Sequence, residues 1–346
     1  MYSTPTIKDV ARVAGVHFTT VSMALRGHPS IPASTRDRIV AAAGRIGYRR
    51  DEVFAALSNR RSAGASRGYA PRIAWISNRS PEDGFHQRAY YRQLVDGARR
   101  QAEALGYRFE LLFVDRGHHT SLSLYKYLKK EGISGIVIGA FESSREVLEM
   151  DWSEFCVVKV DSRHMSPPVT FVSVDQLHCV RLAVQRMRAL GYQRIGLACG
   201  IEDEEGTDDM HVSGFLCEQP DHPRVPCIPP VLFPRRSRAP EAVPLLKEWI
   251  ARYEIDAVIC NWTNIKPMLA LAGYRVPHDI ACACLCLSRR NPSLAGIVAN
   301  MDLVGQRVTA LLATLMRTER RGIPELATTT YVQGVWYDGT SAPARS

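Results

Sequence analysis

The stretch "AGVHFTTVSMALRG", residues 14–27, encloses one helix-sized segment, Phe18–Leu25, between Gly15 and Gly27. On a 100°-per-residue wheel Val21, Ala24 and Leu25 point together, while Thr19, Met23 and Arg26 point away and Phe18 and Ser22 lie on the flanks. The inward face is apolar enough to seat the segment on a small core, so the outward face needs its own explanation. Upstream, "TIKDVARVAG" (residues 6–15) places Thr6 as an N-cap with Asp9 three residues on, in a capping-box arrangement. Val10, Ala11 and Ala14 form its apolar stripe, and Gly15 is its stop. Downstream, Pro32 opens a third helix with Ile39, Ala42, Ala43 and Ile46 on one side. Three short helices, the first two joined by a glycine turn, make a helix-turn-helix unit. Its second helix would enter a DNA major groove with Phe18, Thr19 and Met23 outward.

Charge supports that reading. Residues 1–70 carry 11 Lys/Arg against 4 Asp/Glu, whereas the rest of the 346-residue chain carries 33 against 31. A basic head on a near-neutral body points to a polyanion partner, and argues against a helical cap whose outer face is merely solvated. The length allows two or three domains, and an apolar fraction of 46% is that of a globular protein. All nine cysteines lie beyond residue 150 without small-domain spacing, which suits reduced thiols in a cytosol. No basic-then-apolar leader and no apolar run approaching 18 residues is present. The expectation is a soluble, cytoplasmic protein with no membrane partner.

The segment "TIKDVARVAGVHFTTVSMALRGHPSIPASTRDRIVAAAGRIGY" closely resembles the DNA-binding head of the lactose-repressor (LacI/GalR) transcription regulators. "DVA", "AGV", "TVS", the "TR" of the third helix and the closing "GY" carry the resemblance in combination. It implies that Thr19 and Met23 read bases beside Phe18, and that Thr6, His17, Thr20, Ser22 and Thr35 touch or approach phosphate. Several members place Arg or another polar residue where this chain has Met23. A thioether cannot make the bidentate contact to guanine but can pack on a thymine methyl, so the half-site should differ there. Residues 1–50 are read as the helix-turn-helix domain and 51–70 as hinge and linker. In the family the hinge folds on operator DNA and a Leu wedges into the minor groove; counting from Tyr48, that residue is Leu57. Arg50 replaces the usual Pro and Phe54 a typically small residue, and a plain linker with one stray Leu is the alternative.

From Arg72 onward, apolar β-type runs such as "RIAWIS", "GIVIGA", "CVVKVD", "IGLACG" and "AVIC" alternate with helical patterns. Such alternation means parallel sheets covered on both faces, and the length suits two doubly wound α/β lobes with a ligand cleft at the strands' carboxyl ends. The family resemblance extends here more weakly and implies a periplasmic-binding-protein-like core over residues 71–338. Lobe 1 is placed at about 71–165 and 297–326, lobe 2 at about 168–290 and 329–338, with crossings near 163–168, 288–296 and 326–329. Sugar-responsive relatives hold their ligands with an Arg, an Asn and two Asps. By alignment those positions are His211, Trp262, Asp161 and Cys286, so three of the four polar anchors differ. A Trp can stack on a ring but supplies one donor, so the expected effector is less densely hydrogen-bonded than a free monosaccharide. Asn78, Phe85, His86 and Tyr90, after the first body strand, are further cleft candidates. In "CACLC", Cys282, Cys284 and Cys286 share a strand face spanning ~13 Å, too far for one ion to bridge all three, so core packing is the better reading.

No G-x-S-x-G, P-loop or metal-ligand constellation is legible, and neither a cofactor nor an enzymatic activity is expected. The expected function is that of a DNA-binding transcriptional regulator, with repression its expected direction. It would act as a homodimer on double-stranded, pseudo-palindromic operator DNA, controlled by a small-molecule effector of carbohydrate type. A regulator with a degenerate, effector-independent cleft is the alternative, and a solute-binding receptor is disfavoured by the head.

Overall fold

A computed structural model describes residues 7–25, 31–46, 70–78, 89–114, 121–139, 141, 148–160, 164–219, 227–235 and 238–345. The chain divides into two compact units, Met1–Tyr69 and Ala70–Ser346. The first contains α1 (Ile7–Ala14), α2 (Phe18–Leu25) and α3 (Ala33–Arg45). Gly15 sits at φ +65°, which lets the Val16 N–H turn back to the Ala11 carbonyl at 3.1 Å and close the end of α1. Val10, Ala11, Ala14, Val21, Ala24, Ile39, Ala42 and Ala43 form the core, with Leu25 and Ile46 packed against it. The helical wheel therefore selects the buried face of α2 correctly. Pro32 stands just before α3, where a missing N–H costs nothing. The Thr6 cap, the hinge and Leu57 lie outside the described residues.

The second unit begins with β1 (Arg72–Ser77), α4 (Ala89–Ala104), β2 (Arg108–Phe113), α5 (Ser121–Lys130), β3 (Ile133–Ile138), β4 (Cys156–Val160) and β5 (Phe171–Val174). It continues with α6 (Gln176–Ala189), β6 (Ile195–Gly200), α7 (Ile201–Thr207), α8 (Met210–Cys217), β7 (Val231–Phe233), α9 (Ala239–Tyr253) and β8 (Ala257–Cys260). The last elements are α10 (Ile265–Leu271), β9 (Ala281–Leu287), β10 (Ala295–Val298), α11 (Met301–Arg317), β11 (Thr329–Val332) and β12 (Val335–Tyr337). Among the described residues two six-stranded sheets result, ordered β11-β5-β4-β3-β1-β2 and β12-β10-β9-β8-β6-β7. The first is parallel throughout; in the second only β12 runs antiparallel, against β10. Buried runs such as Ile73–Ser77 and Ala257–Cys260 are what helix-covered parallel strands require.

The lobe boundaries differ from the expected ones. A crossing is expected near 163–168, yet the chain passes through Pro167 and Pro168 into β5, which pairs with β4 through Lys159 with Phe171 and Val160 with Val172. Likewise β10 joins the second sheet beside β9, and β11 joins the first beside β5. The chain therefore crosses between lobes at 174–176, 298–301 and 332–335, not near 163–168, 288–296 and 326–329. The physical reason is that four-residue strands carry too little periodicity to declare their sheet. The crossings are tied together: Asp175 N–H donates to the Val332 carbonyl at 2.9 Å, and Asn300 Nδ2 to the Gln333 carbonyl at 3.0 Å. Asp175 also caps α6 by accepting from the His178 N–H at 3.0 Å.

Lobe 1 is completed by α11, which packs on α4. The two helix backbones meet so closely that a Cβ on Gly97 would strike the Asp302 carbonyl, and one on Gly305 the Leu94 carbonyl. Thr309 Oγ1 donates to the Ala98 carbonyl at 3.2 Å beside them. Among the described residues no helix is long and apolar enough to cross a membrane.

Candidate functional site

In the head, α2 presents a distinct outer surface. Phe18 is 43% exposed, and His17 and Thr19 are exposed beside it. His17, just before α2, holds its Nδ1 2.8 Å from Thr19 Oγ1, and its ring lies 4.2 Å from that of Phe18. The residue that opens the helix thus orients one of the side chains expected to meet bases. Thr20, Met23 and Thr35 are half-buried, so Met23 flanks the outer surface and does not stand fully outward. Ser22 belongs to α2, but its side chain lies outside the described residues.

The body's cleft candidates sit where the strands end. Asn78 follows β1 and is half-buried; Tyr90, in α4, meets Tyr91 edge-on at 5.2 Å. Phe85, His86 and Asp161 lie outside the described residues. In lobe 2, α7 starts directly after β6 and carries Asp203, whose Oδ2 accepts from Trp262 Nε1 and Asn261 Nδ2, each at 2.9 Å. Trp262 leans on Phe233 with ring centroids 4.8 Å apart. The Cys286 thiol donates to the Asn261 carbonyl at 2.6 Å and lies 3.8 Å from Cys284 Sγ. Trp262 and Cys286 are therefore neighbours, joined by Asp203 and Asn261, which the sequence reading did not single out. The available signal was the acidic run "EDEEGTDD", residues 202–209, placed straight after a strand.

His211 departs from the expectation of an open cleft ligand. It is buried at 4% exposure, with Nδ1 2.5 Å from Glu204 Oε1 and Nε2 3.2 Å from Gln176 Oε1. Both ring nitrogens are spent inside lobe 2. A cavity of about 440 Å³ between the lobes is lined by His164 from lobe 1 and Glu205, Asp208 and Asp209 from lobe 2. His164 Nε2 lies 3.5 Å from Asp208 Oδ1 across it. Asp208 and Asp209 both adopt left-handed backbone (φ 63° and 55°), a strain that Asp tolerates better than most residues and that turns them into the cavity.

The thiols beneath this edge are packed into the sheet. Cys282 and Cys284 are fully buried, as the core-packing reading of "CACLC" has it. Burial pushes the Cys282 thiol up to about 12 from 9.0, and that of Cys179 to about 12 as well. Cys286 is also raised, first by its hydrogen bond with Cys284 and then by burial.

Among the described residues, a head of three helices whose α2 has an exposed outer face, and two crossed-over parallel lobes with a cleft at their strand ends, define a helix-turn-helix protein with a periplasmic-binding-protein-like body. Residues 6–51 match the family model "Bacterial regulatory proteins, lacI family", and residues 80–261, more than half the chain, match "Periplasmic binding proteins and sugar binding domain of LacI family". The chain belongs to the LacI family. It is 26% identical over 211 residues to catabolite control protein A of Priestia megaterium, covering 61% of this chain and 59% of that protein. The match spans between half and three-fifths of the curated relatives' length. Among solved structures, a transcriptional regulator CelR–cellobiose complex aligns over 97% of this chain and 99% of its own, with TM-score 0.56 and 18% identity. The lac repressor dimer bound to operator and the anti-inducer ONPF aligns over 99% and 100%, also with TM-score 0.56 and 18% identity. These likenesses establish the fold.

Proposed function

We propose that the protein is a sequence-specific, non-enzymatic transcription regulator that binds a pseudo-palindromic operator as a homodimer. The observation that carries this reading is the family match over residues 6–51, falling on a basic helical head whose α2 exposes Phe18 and Thr19, with His17 exposed just before it. The lac repressor structure of the same fold is a dimer on operator DNA, and this chain's dimer is proposed by that analogy. Leu57 is the proposed minor-groove wedge. The test is selection of bound sequences from random duplexes by the full chain, repeated after deletion of residues 1–62. The full chain should enrich a two-fold-related site whose affinity falls steeply with salt as counterions are released, and the truncated chain should enrich none. Met23→Arg should shift one base pair per half-site toward G·C, because a bidentate pair to guanine is worth ~1–3 kcal/mol of discrimination.

The cavity between the lobes has the volume of a small-molecule site. Its control by an effector is proposed from the fold, with a carbohydrate as the precedent set by the cellobiose complex. A second reading is favoured by one observation. Trp262 and Cys286 already make hydrogen bonds inside lobe 2, and so does His211. An effector must displace those bonds, bind elsewhere on the cavity wall, or not exist. Thermal-shift screening of mono- and disaccharides against the full chain separates these cases.

A further inference from the structure

We infer that Cys199, Glu204 and His211 form a binding site for one transition-metal ion of the zinc type, buried in lobe 2. One ligand atom from each of the three residues lies within 4.8 Å of the others, and their exposures are 0%, 1% and 4%. They come from three consecutive elements: Cys199 from β6, Glu204 from α7 and His211 from α8. A mixed sulfur, nitrogen and carboxylate donor set selects zinc or its neighbours over calcium and magnesium, which take oxygen ligands.

The groups around the donors strengthen the case. A metal-bound histidine characteristically donates its other ring N–H to an acceptor, and a ligating carboxylate is itself held by a donor. With the ion on Nδ1, His211 Nε2 faces Gln176 Oε1 at 3.2 Å. Glu204 Oε2 accepts from the Val212 N–H at 3.0 Å. Thr207 Oγ1 lies 3.4 Å from Nδ1, and a water would be the fourth ligand of a tetrahedral ion. Charge balances too: a divalent ion with one thiolate, one carboxylate and a neutral imidazole leaves no net charge in a buried place, where net charge is costly.

Binding is a proton exchange. The ion takes the sulfur as the Cys199 S–H bond breaks, and that proton leaves to solvent. The proton shared in the Glu204–His211 hydrogen bond must also vacate Nδ1, and the ring keeps its one remaining proton on Nε2, facing Gln176 Oε1. No electron moves. The Glu204–His211 contact of 2.5 Å must open by under 1 Å to admit an ion whose bonds are about 2.0–2.3 Å. An ion here would lock α7, the helix that supplies Asp203 and Glu205 to the cleft, to α8 and to Gln176 at the first lobe crossing.

The experiment uses the full-length chain, freed of metal and titrated with cobalt(II) and with zinc(II). One cobalt per chain should bind with a thiolate-to-cobalt charge-transfer band, and zinc should displace it and raise the melting temperature. Cys199→Ser should abolish the band while keeping the circular dichroism of the parent. Gln176→Ala, which removes no ligand, should weaken zinc binding by about 10- to 100-fold, the usual cost of losing an outer partner. A band retained in Cys199→Ser places the ion on other cysteines and overturns the proposal. So does a metal-free chain with no charge-transfer band and no zinc-dependent stabilisation. If Cys199→Ser does not fold, zinc-edge anomalous scattering from crystals of the unmutated chain decides: a peak among the three side chains supports the site, and none there refutes it.

Discussion

The two lobes share a strand-and-helix plan but distribute their volume in opposite ways. In lobe 1 the strands carry the bulk: Trp75, Ile73, Ile76, Ile136 and Ile138 are fully buried. Glycines make room around them, with Gly139 against the Trp75 indole and Gly97 and Gly305 between α4 and α11. In lobe 2 the central strands are built from Ala and Cys, as in "ACACLCL" of β9, and helices deliver large side chains such as Trp249, which fills the space over Gly196. One topology thus accepts two packings as long as total volume is conserved. The exchange also has a chemical side. Small, sulfur-bearing strand ends in lobe 2 leave space for the Glu204–His211 pair and for Asp203 with Trp262.

Mutations should reveal this asymmetry as unequal costs. The largest effect is expected at Trp75→Ala, which empties the middle of the first sheet and should cost about 3–5 kcal/mol in denaturant unfolding. Trp75→Phe should cost clearly less, because the indole Nε1 is buried without a hydrogen-bond partner and its removal strands nothing. A Trp75→Ala cost near 1 kcal/mol, about that of losing a single methyl, would show that lobe 1 is not packed from its strands. Next comes Gly305→Val, whose new Cβ meets the Leu94 backbone and cannot be relieved by a rotamer change. Overpacking there should cost about 1–3 kcal/mol or more and loosen α11 first, seen as faster hydrogen exchange in 301–317. Cys282→Ala in lobe 2 should cost only about 1 kcal/mol, since a single small group leaves a strand that carries little of its lobe's volume. A cost equal to that of Trp75→Ala would erase the contrast.

The smallest effect is on titration. Cys282 rises from 9.0 to about 12 because burial penalises the thiolate. In the unfolded chain the thiol ionises first, so its contribution to stability is complete below pH 9 and is lost as pH climbs toward 12. In the native protein at pH 8, exposed Cys217 and Cys227 should alkylate quickly, and Cys282 and Cys179 only at the rate of unfolding. Rapid native labelling of Cys282 would mean that lobe 2 is looser than its packing implies.

Much of this was written locally in the chain. Gly15 announces the turn that separates α1 from α2, and the inward face of α2 follows from spacing alone. "RIAWIS", "IGLACG" and "AVIC" are strands over the residues that their apolar runs mark. The neighbourhood of Trp262 and Cys286 was legible as a pair of positions, though its organiser, Asp203, was hidden in an acidic run that reads as a solvated surface.

What the sequence by itself determined, then, are the elements whose causes act within a few residues: the turns, the buried faces, the basic head and the alternation that demands parallel sheets. Tertiary structure alone decided which sheet receives β5, β10 and β11, and that α11 returns to pack on α4 more than two hundred residues upstream. It also decided that His211 turns inward to Glu204 and Gln176 and not toward a ligand. The physical reason is common to all of these. Backbone hydrogen bonds and hydrophobic periodicity are local, whereas the pairing of short strands, the close approach of two helices and the neutralisation of a buried charge depend on groups that meet only once the chain has closed on itself.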